Sequence, residues 1–310
     1  MNRIDDSPKV IAISGAAGNL GRMLIRKLHR VNPIIAIDSR AQNNLPNDVS
    51  IITKELANRG VRNTFRQKNI DTVIHLETKT ETSNRAPDLF TRSIKNYSKL
   101  LEYCDSYHVK KLILLSSADL YGAQPSNSQF LTEESPLLSP DMSVLRDVDM
   151  MTQSFFWKHP ETETVILRPA HIMGSVNGLL SNYLTLKKVP VILGFDPMLQ
   201  IIHEEDVVNA IFLSLENGVR GIFNIAGPKP VKLRKILNLL NRQTVEIPHI
   251  LAPPILRHMN KMNLSRNLNP THINYLKYIC MVDDSRARKE LNYTHLKNLD
   301  ETIKAFDLWK

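Results

Sequence analysis

The sequence predicts an α/β fold in which helices cover both faces of a doubly wound parallel sheet. Short apolar runs alternate with helical patterns from residue 10 to residue 117. These runs are nearly continuous, which is typical of strands buried on both faces of a parallel sheet. A segment with three spaced glycines directly follows the first run and is typical of a turn that binds phosphate. The expected ligand site is therefore the carboxyl edge of the sheet.

The predicted elements follow from the positions of the apolar residues. Strands are predicted where short β-branched or leucine-rich runs are bounded by polar residues, at 10–14, 33–38, 49–52, 72–76, 111–117, 164–167, 190–194 and 221–225. Helices are predicted where apolar residues recur every three or four positions, at 20–30, 89–108, 147–157 and 231–242. The alternation loosens after residue 157, and Pro248, Pro253 and Pro254 interrupt the last helical pattern.

Composition narrows the class of protein. The chain has 310 residues, enough to bury a sizeable core without disulfides or a structural metal. Cys104 and Cys280 lie far apart without metal-ligand spacing, and we expect buried thiols in a reducing compartment. No apolar run approaches the roughly 20 residues that span a bilayer, and residues 1–6 lack the apolar core of a signal peptide. These features predict a cytoplasmic protein with no metal site.

The net charge of +9 lies entirely in the last third of the chain. Residues 218–310 carry 16 basic and 7 acidic side chains, whereas residues 1–217 carry 24 of each. Such a region could face an anionic ligand, an acidic protein or an anionic membrane, or could form a lysine-rich solvated surface. Membrane contact through the short segment 253–262 ranks last among these alternatives. No nucleic-acid partner is predicted.

The glycine segment predicts a dinucleotide site. Gly15, Gly18 and Gly21 lie between a predicted strand and a predicted helix, where they let backbone N–H groups approach a pyrophosphate. Asp38 ends the second predicted strand, 23 residues after Gly15, where a carboxylate can accept hydrogen bonds from the adenosine ribose. That carboxylate would repel a 2′-phosphate, which favours NAD. Arg40 could instead meet the phosphate, so NADP stays an alternative.

Seven segments in a fixed order extend this pattern along nearly the whole chain. They are 15–21, Asp38, 71–76, 115–122, 167–174, 203–207 and 223–227. In this order they resemble the extended short-chain dehydrogenase/reductases of the NAD-dependent epimerase/dehydratase type. The resemblance implies a Rossmann-type sheet in a dinucleotide-binding domain at 1–170. It also implies a smaller, mainly substrate-binding region at 171–310, from which some strands and helices return to the Rossmann core.

The resemblance also implies roles for single residues. It places Glu55 near the adenine amino group and Leu76 along the ribose and pyrophosphate of the cofactor. The cofactor-binding residues expected on this basis are Gly15, Gly18, Asn19, Leu20, Gly21, Asp38, Ser39, Arg40, Glu55, Leu56, Leu76 and Arg168. The resemblance further implies a small-molecule substrate such as a nucleotide sugar, and a homodimer built from two long helices near 89–108 and 147–157.

The catalytic pattern of that family is only partly present. It uses a Ser or Thr, a Tyr, and a Lys four residues after the Tyr, because the lysine's charge lowers the tyrosine pKa toward neutrality. Ser117 matches the hydroxyl position. The acids at 147 and 149 set a register in which Asp141 replaces the Tyr and Leu145 replaces the Lys. His171 and Tyr183 are the other candidates for moving a proton, although His171 could instead be a packing residue.

Two alternatives therefore stay open. The first is an NAD(P)-dependent enzyme of the epimerase/dehydratase type, in which Ser117 polarises a substrate oxygen and His171 or Tyr183 moves a proton. The second is a cofactor-binding sensor or scaffold without turnover, because the glycine segment is intact whereas both the Tyr and the Lys are missing.

Overall fold

A seven-stranded, wholly parallel sheet organises the computed structural model and confirms the predicted fold class. The structure describes residues 8–76, 87–139, 142–174, 179–186, 188–255 and 270–307. The strands in these ranges are β1 (Ile11–Ser14), β2 (Ile34–Asp38), β3 (Ser50–Thr53), β4 (Thr72–His75), β5 (Lys111–Leu115), β6 (Glu163–Pro169), β7 (His171–Met173), β8 (Lys188–Ile192), β9 (Met198–Leu199), β10 (Ile201–His203), β11 (Gly221–Ile225), β12 (Val231–Lys232) and β13 (Gln243–Ile247). The α-helices are α1 (Asn19–Leu28), α2 (Arg59–Lys68), α3 (Pro87–Ser106), α4 (Ser143–Lys158), α5 (Leu179–Leu184), α6 (Glu204–Leu213), α7 (Leu233–Leu239), α8 (Ser285–Glu290) and α9 (Leu299–Asp307). Short 3-10 helices occupy Ala118–Tyr121, His249–Leu251 and Pro270–Leu276.

Helices cover both faces of the main sheet because successive residues of a strand point to opposite sides. In β1, Ile11 and Ile13 pack in a core with residues of α1, α6 and α8. Ala12, between them, packs on the other face with residues of α2, α3 and α4. Each central strand must therefore be apolar at nearly every position, which explains the continuous apolar runs of the sequence.

The order of the strands places a crevice at the carboxyl edge of the sheet. The order is β11-β6-β5-β4-β1-β2-β3, so the chain runs outward from β1 to β3 and then continues on the other side of β1 with β4. The loops after β1 and β4 therefore diverge, and ligands bind at such a point in open parallel sheets. Ser14 on β1 and His75 on β4 are joined here, with 2.6 Å between Ser14 Oγ and His75 Nδ1.

The last third of the chain contributes to the main sheet and to a second core. β11 pairs in register with β6, with Gly221 beside Val165 and Ile225 beside Pro169. Residues of α5, α7, α9, β8 and β13 enclose a separate apolar cluster. The predicted boundary at residue 170 stays a prediction, and the structure shows that β11 and α8 pack on the first core.

Five of the described α-helices lie outside the predicted set: α2, α5, α6, α8 and α9. The buried residues of α2 are Val61 and Phe65, so its apolar face is too narrow to stand out in a polar segment. Its start is marked instead by Asn58, whose side chain accepts a hydrogen bond from the Gly60 N–H at 2.8 Å. In α6, by contrast, apolar residues face several directions because much of the helix is buried, so a one-sided pattern is weak.

Several predicted boundaries differ from the observed ones by a few residues. The fifth strand ends at Leu115, because the backbone turns after it into the 3-10 helix at Ala118–Tyr121. The helix predicted at 231–242 is shorter, since its first two residues form β12 and the backbone turns at Asn241, which has a φ of 50°.

In the described ranges, no helix is long and apolar enough to cross a bilayer. The same ranges contain no group of three or more His, Cys, Asp or Glu side chains arranged to hold a metal.

Candidate functional site

The glycine turn between β1 and α1 allows close approach of the backbone to a ligand. Gly15 has a φ of 79°, in the left-handed region that favours glycine, and its N–H donates to the Ile37 carbonyl at 3.0 Å. A Cβ on Gly21 would lie 2.8 Å from backbone atoms of Gly15 and Ala16, so α1 can pack this tightly only with glycine there. Gly18, at the N-cap of α1, has no side chain to occupy the N–H groups of the first turn. Those groups can therefore receive an anion.

Asp38, at the end of β2, holds the glycine turn from the neighbouring strand. Its Oδ2 accepts hydrogen bonds from the Ala17 N–H and from Arg40 Nη2, both at 3.0 Å. Its Oδ1 accepts from the backbone N–H of Arg40 at 2.9 Å and from Arg40 Nε at 3.1 Å. Burial opposes charge on this carboxyl, but the hydrogen bonds from Arg40 and Ala17 hold its pKa below the ordinary value. Ser39, between the two residues, is exposed.

The loop after β3 carries Glu55, the residue expected near adenine. Its carboxylate forms an ion pair with Arg92 on α3. Leu56, beside it, is buried. The Ala57 N–H donates to Asn96 Oδ1, also on α3, at 3.1 Å. α3 therefore fixes this loop against the carboxyl edge of the sheet.

Three further predicted cofactor residues surround the glycine turn. Leu20 is buried beneath the turn on α1, and Leu76 is buried just after β4, where its N–H donates to the Ser14 carbonyl at 2.9 Å. Asn19 opens α1, and its side-chain oxygen accepts a hydrogen bond from Arg22. The ends of β1, β2 and β4 thus bring the predicted glycine, acid and leucine positions to one edge.

A second group of side chains meets where β5 and β6 end. Ser117 caps the 3-10 helix at Ala118–Tyr121, and its Oγ accepts a hydrogen bond from the Asp119 N–H at 3.1 Å. The Asp119 carboxylate lies 3.1 Å from Nδ1 of His171 on β7. Burial alone would lower the pKa of His171, but the Asp119 carboxylate raises it above the ordinary value. The structure therefore brings Ser117 and His171 into one cluster, with Asp119 between them.

Sequence reasoning did not single out Asp119 or Tyr275. Tyr275 donates its hydroxyl to the Asp119 carbonyl at 2.7 Å, and its ring meets the His171 ring edge-on, with 6.1 Å between centroids. A sequence signal for Asp119 does exist, because it lies two positions after Ser117 in the same turn. Nothing local marks Tyr275, which lies 156 positions from its hydrogen-bond partner.

The position expected for a catalytic lysine lies in apolar surroundings. Leu145 is 3% exposed and packs with Leu120. Arg146, the nearest cationic neighbour in sequence, donates from its guanidinium to the Ser139 carbonyl at 3.3 Å. Asp141, at the position expected for tyrosine, lies outside the described residues.

Arg168, which was expected among the cofactor-binding residues, is held by buried partners in this structure. It is 1% exposed, and its guanidinium donates to Asp149 on α4 at 2.7 and 3.1 Å and to the Tyr121 hydroxyl at 3.0 Å. Ser116 Oγ also donates to Asp149, at 2.6 Å. Burial opposes the charge of Arg168, yet the Asp149 carboxylate raises its pKa. These partners favour a structural role, in which Arg168 ties α4 to the ends of β5 and β6.

Tyr183, another residue predicted to move a proton, has apolar surroundings. It is buried in the second core among residues of α5, α7 and β8, and its hydroxyl donates to the Pro190 carbonyl at 2.8 Å. Burial raises the pKa of the phenol, which makes it a poorer base at neutral pH. Its surroundings favour a packing role.

Comparison with known proteins agrees with this arrangement. A family model described as "NAD dependent epimerase/dehydratase family" matches residues 11–226. The uncharacterized protein Rv0501 of Mycobacterium tuberculosis is 26% identical over 315 residues, which cover 97% of this chain and 83% of that protein.

Solved structures share the fold. UDP-glucose 4-epimerase from Thermotoga maritima, solved with UDP-glucose, matches with a TM-score of 0.75 and 19% identity, over 97% of this chain and 98% of that one. dTDP-glucose 4,6-dehydratase from Bacillus anthracis, solved with NAD, matches with a TM-score of 0.73 and 16% identity, over 97% and 96%. At these identities the similarity establishes a common fold.

Proposed function

Because this chain belongs to the NAD dependent epimerase/dehydratase family, we propose that it binds NAD at the carboxyl edge of its main sheet and modifies a nucleotide sugar there. The observation that carries the proposal is the contact between β2 and the glycine turn, in which Asp38 Oδ2 accepts the Ala17 N–H. This contact joins the acid proposed to bind the ribose to the turn proposed to bind the pyrophosphate, so the two parts of the dinucleotide site hold each other in place.

The residues present fit the cofactor. The turn at Gly15 and the uncapped start of α1 offer backbone N–H groups to the pyrophosphate, and Gly21 keeps the turn and helix close. Leu56 and Leu76 are buried apolar residues beside this edge of the sheet. Bound NAD would supply a hydride acceptor and donor. The remaining chemistry, the movement of a proton at a substrate hydroxyl, falls to side chains of this chain.

The Asp119–His171 pair is the group that we assign to this proton transfer. Nδ1 of His171 faces the Asp119 carboxylate, which leaves Nε2 to take a proton from a substrate hydroxyl or return it. Asp119 orients the ring and stabilises its protonated form, a common arrangement for an acid–base histidine. Ser117, in the same turn as Asp119, would hold the substrate oxygen. This set would replace the missing Tyr and Lys.

The nucleotide-sugar substrate is proposed by likeness to the solved epimerase and dehydratase. The direct test combines calorimetry with turnover assays. We expect NAD to bind, and UDP-glucose or dTDP-glucose to give an epimerised or dehydrated product detected by chromatography. His171→Gln should lower turnover by about 100-fold or more, the usual contribution of a general acid–base group. Tyr183→Phe is the matched control and should retain turnover. Equal activity of His171→Gln and the wild type would refute the role of His171.

A second function is favoured by one observation, the apolar packing of Leu145 where the family has a lysine. In this alternative the chain binds NAD without turnover and a partner recognises the occupied form. NAD binding with no product from either nucleotide sugar, and no change in cofactor absorbance, would favour this alternative over the enzyme.

Two exposed residues of α4 support the proposed homodimer. Met150 is 55% exposed and Trp157 is 78% exposed, and their spacing of seven places them on one face of the helix. α3, the other helix of the proposed interface, packs beside α4. Trp157→Lys should shift the protein from dimer to monomer in analytical ultracentrifugation.

A cytoplasmic location is also part of this proposal. Two buried free thiols, those of Cys104 and Cys280, support it.

A further inference from the structure

The Asp119–His171 pair is held in place from a distant part of the chain. Tyr275, in the 3-10 helix at Pro270–Leu276, donates its hydroxyl to the Asp119 carbonyl at 2.7 Å. This contact fixes the backbone of the residue whose carboxylate lies 3.1 Å from His171 Nδ1. The position of that carboxylate therefore depends on a side chain 156 positions later in the chain.

The ring of the same tyrosine packs against the imidazole. The Tyr275 and His171 rings meet at 68°, with 6.1 Å between their centroids, and both residues are buried. Aromatic rings favour this edge-on geometry. An imidazole that turned about its Cβ–Cγ bond would move Nδ1 away from the Asp119 carboxylate. A buried ring at one side of the imidazole leaves less room for that rotation.

The segment after Tyr275 also reaches the strand that carries His171. Gln200 is the link, because its backbone carbonyl accepts the His171 N–H at 3.3 Å. Its side-chain Nε2 donates to the Val282 carbonyl at 3.1 Å, and its Oε1 accepts the Val282 N–H at 2.8 Å. Residues 275–282 thus contact the Asp119 side of the pair through Tyr275 and the His171 side through Gln200. One segment holds both members of the pair.

Orientation matters at this pair because the two nitrogens of a neutral imidazole have different roles. The nitrogen that carries the proton donates a hydrogen bond, and the other accepts one. Since Nδ1 of His171 faces the Asp119 carboxylate, the proton of the neutral ring belongs on Nδ1, which leaves Nε2 as the acceptor. A displacement of about 1 Å at a reacting group can lower a rate by about 100-fold.

We propose that Tyr275 is the positioning residue of the Asp119–His171 pair: its hydroxyl fixes the turn that carries Asp119, and its ring keeps the imidazole aligned with Nε2 toward the substrate. This inference rests on the proposed function, because it assumes that His171 moves a proton. It extends that function by giving the last third of the chain a part in the proton transfer.

The first measurement is nitrogen NMR of the histidine side chains at a pH where His171 is neutral, because nitrogen chemical shifts distinguish the two tautomers. The signal of His171 is the one that disappears in His171→Gln. We expect the Nδ1–H form in the wild type. Tyr275→Leu removes both the hydroxyl and the ring and should give a mixture of the two tautomers. Tyr275→Phe keeps the ring and should keep the Nδ1–H form.

The second measurement separates kcat from KM with the nucleotide sugar that the wild type converts. Tyr275→Leu should lower kcat by about tenfold or more and change KM by less than about threefold, because it misaligns the proton acceptor and leaves substrate binding intact. Tyr275→Phe should give a kcat between those of the wild type and Tyr275→Leu, since it restores the ring but not the hydroxyl.

Tyr183→Leu is the matched control. Tyr183 is also buried, and it also donates its hydroxyl to a backbone carbonyl, that of Pro190 at 2.8 Å. Because it lies in the second core, its loss should reduce stability without changing the tautomer of His171, and kcat should stay within about twofold of the wild type. If Tyr275→Leu does not fold, Tyr275→Met replaces it in both measurements, because a flexible apolar side chain adapts to the space left by the ring.

The outcomes separate this inference from the proposed function. A folded Tyr275→Leu that keeps the wild-type tautomer, or a kcat within about twofold of the wild type, would refute the role of Tyr275 and leave the proposed function standing. A wild type without the Nδ1–H form would refute that role as well. A wild type that converts neither UDP-glucose nor dTDP-glucose would refute the proposed function, and the NMR result would then show separately whether Tyr275 aligns the pair.

Discussion

The two ends of the carboxyl edge are held in place by different kinds of contact. At the β1–β2 end, backbone groups position the glycine turn, through Gly15 to the Ile37 carbonyl and through Ala17 to Asp38. At the β5–β6 end, buried charged side chains connect the strands to α4, above all the ion pair of Arg168 and Asp149. Substitutions that add atoms should therefore destabilise the β1–β2 end. Substitutions that remove a charge should destabilise the β5–β6 end.

The largest expected effect is at the β5–β6 end. Asp149→Ala leaves the buried Arg168 guanidinium without its carboxylate partner and should lower the free energy of unfolding by about 3–5 kcal/mol. Urea denaturation measures this change. The exposed pair of Arg234 and Glu246 is the matched control, and Glu246→Ala should cost less than about 1 kcal/mol. Equal losses of free energy of unfolding for the two substitutions would show that burial does not determine how much these ion pairs contribute to stability.

The next effect is at the β1–β2 end. Gly21→Ala would place a Cβ 2.8 Å from backbone atoms that cannot move away easily, and should cost about 1–3 kcal/mol together with a loss of NAD binding. Thermal unfolding with and without NAD measures both effects. Gly60→Ala, whose Cβ would meet only the side chains of Asn58 and Lys54 at 3.1 Å, should cost less than about 1 kcal/mol and leave NAD binding unchanged. Unchanged NAD binding by Gly21→Ala would contradict the close-approach role of the turn.

A smaller, pH-dependent effect is expected at the Asp119–His171 pair. Because the pKa of His171 is raised in the fold, the pair stabilises the protein below the unfolded histidine pKa of about 6.5, and this stabilisation is lost as pH rises through the folded pKa. Asp119→Asn should therefore lower the free energy of unfolding more at pH 5.5 than at pH 8.5. Urea denaturation at both pH values measures the difference. A cost that is the same at both would argue against a charged pair.

The smallest effect is expected away from both ends, at the start of α2. Asn58→Ala removes the hydrogen bond to the Gly60 N–H and should cost about 1 kcal/mol without changing NAD binding. Calorimetry and urea denaturation of the same sample distinguish this general loss of stability from damage to the site. A large loss of NAD affinity would show that the loop between β3 and α2 contributes to NAD binding as well as to stability.

The same comparison explains how much of the site could be predicted from the sequence. The glycine turn and Asp38 depend on contacts within one strand–turn–helix unit and its neighbour, and their spacing is visible in the sequence. The roles of Arg168 and Tyr275 depend on partners 19 and 156 positions away, and no local pattern encodes such partners. α2 was not predicted for a related reason. Only two of its residues are buried, and they are buried by packing against the sheet, which no local pattern shows.

Lys111, at the amino end of β5, links the order of synthesis to the completion of the fold. Its buried ammonium pairs with Glu163 at 2.9 Å and donates to the carbonyls of Ser214 and Glu216, just after α6. These acceptors leave the ribosome about 100 residues after Lys111 does. A nascent chain that stops at residue 170 would keep the Lys111–Glu163 ion pair, but it would lack the Ser214 and Glu216 carbonyls and the strand β11 that pairs with β6. We therefore expect a truncated chain of residues 1–170 to aggregate, and the sheet to close only once residues 214–225 have been translated.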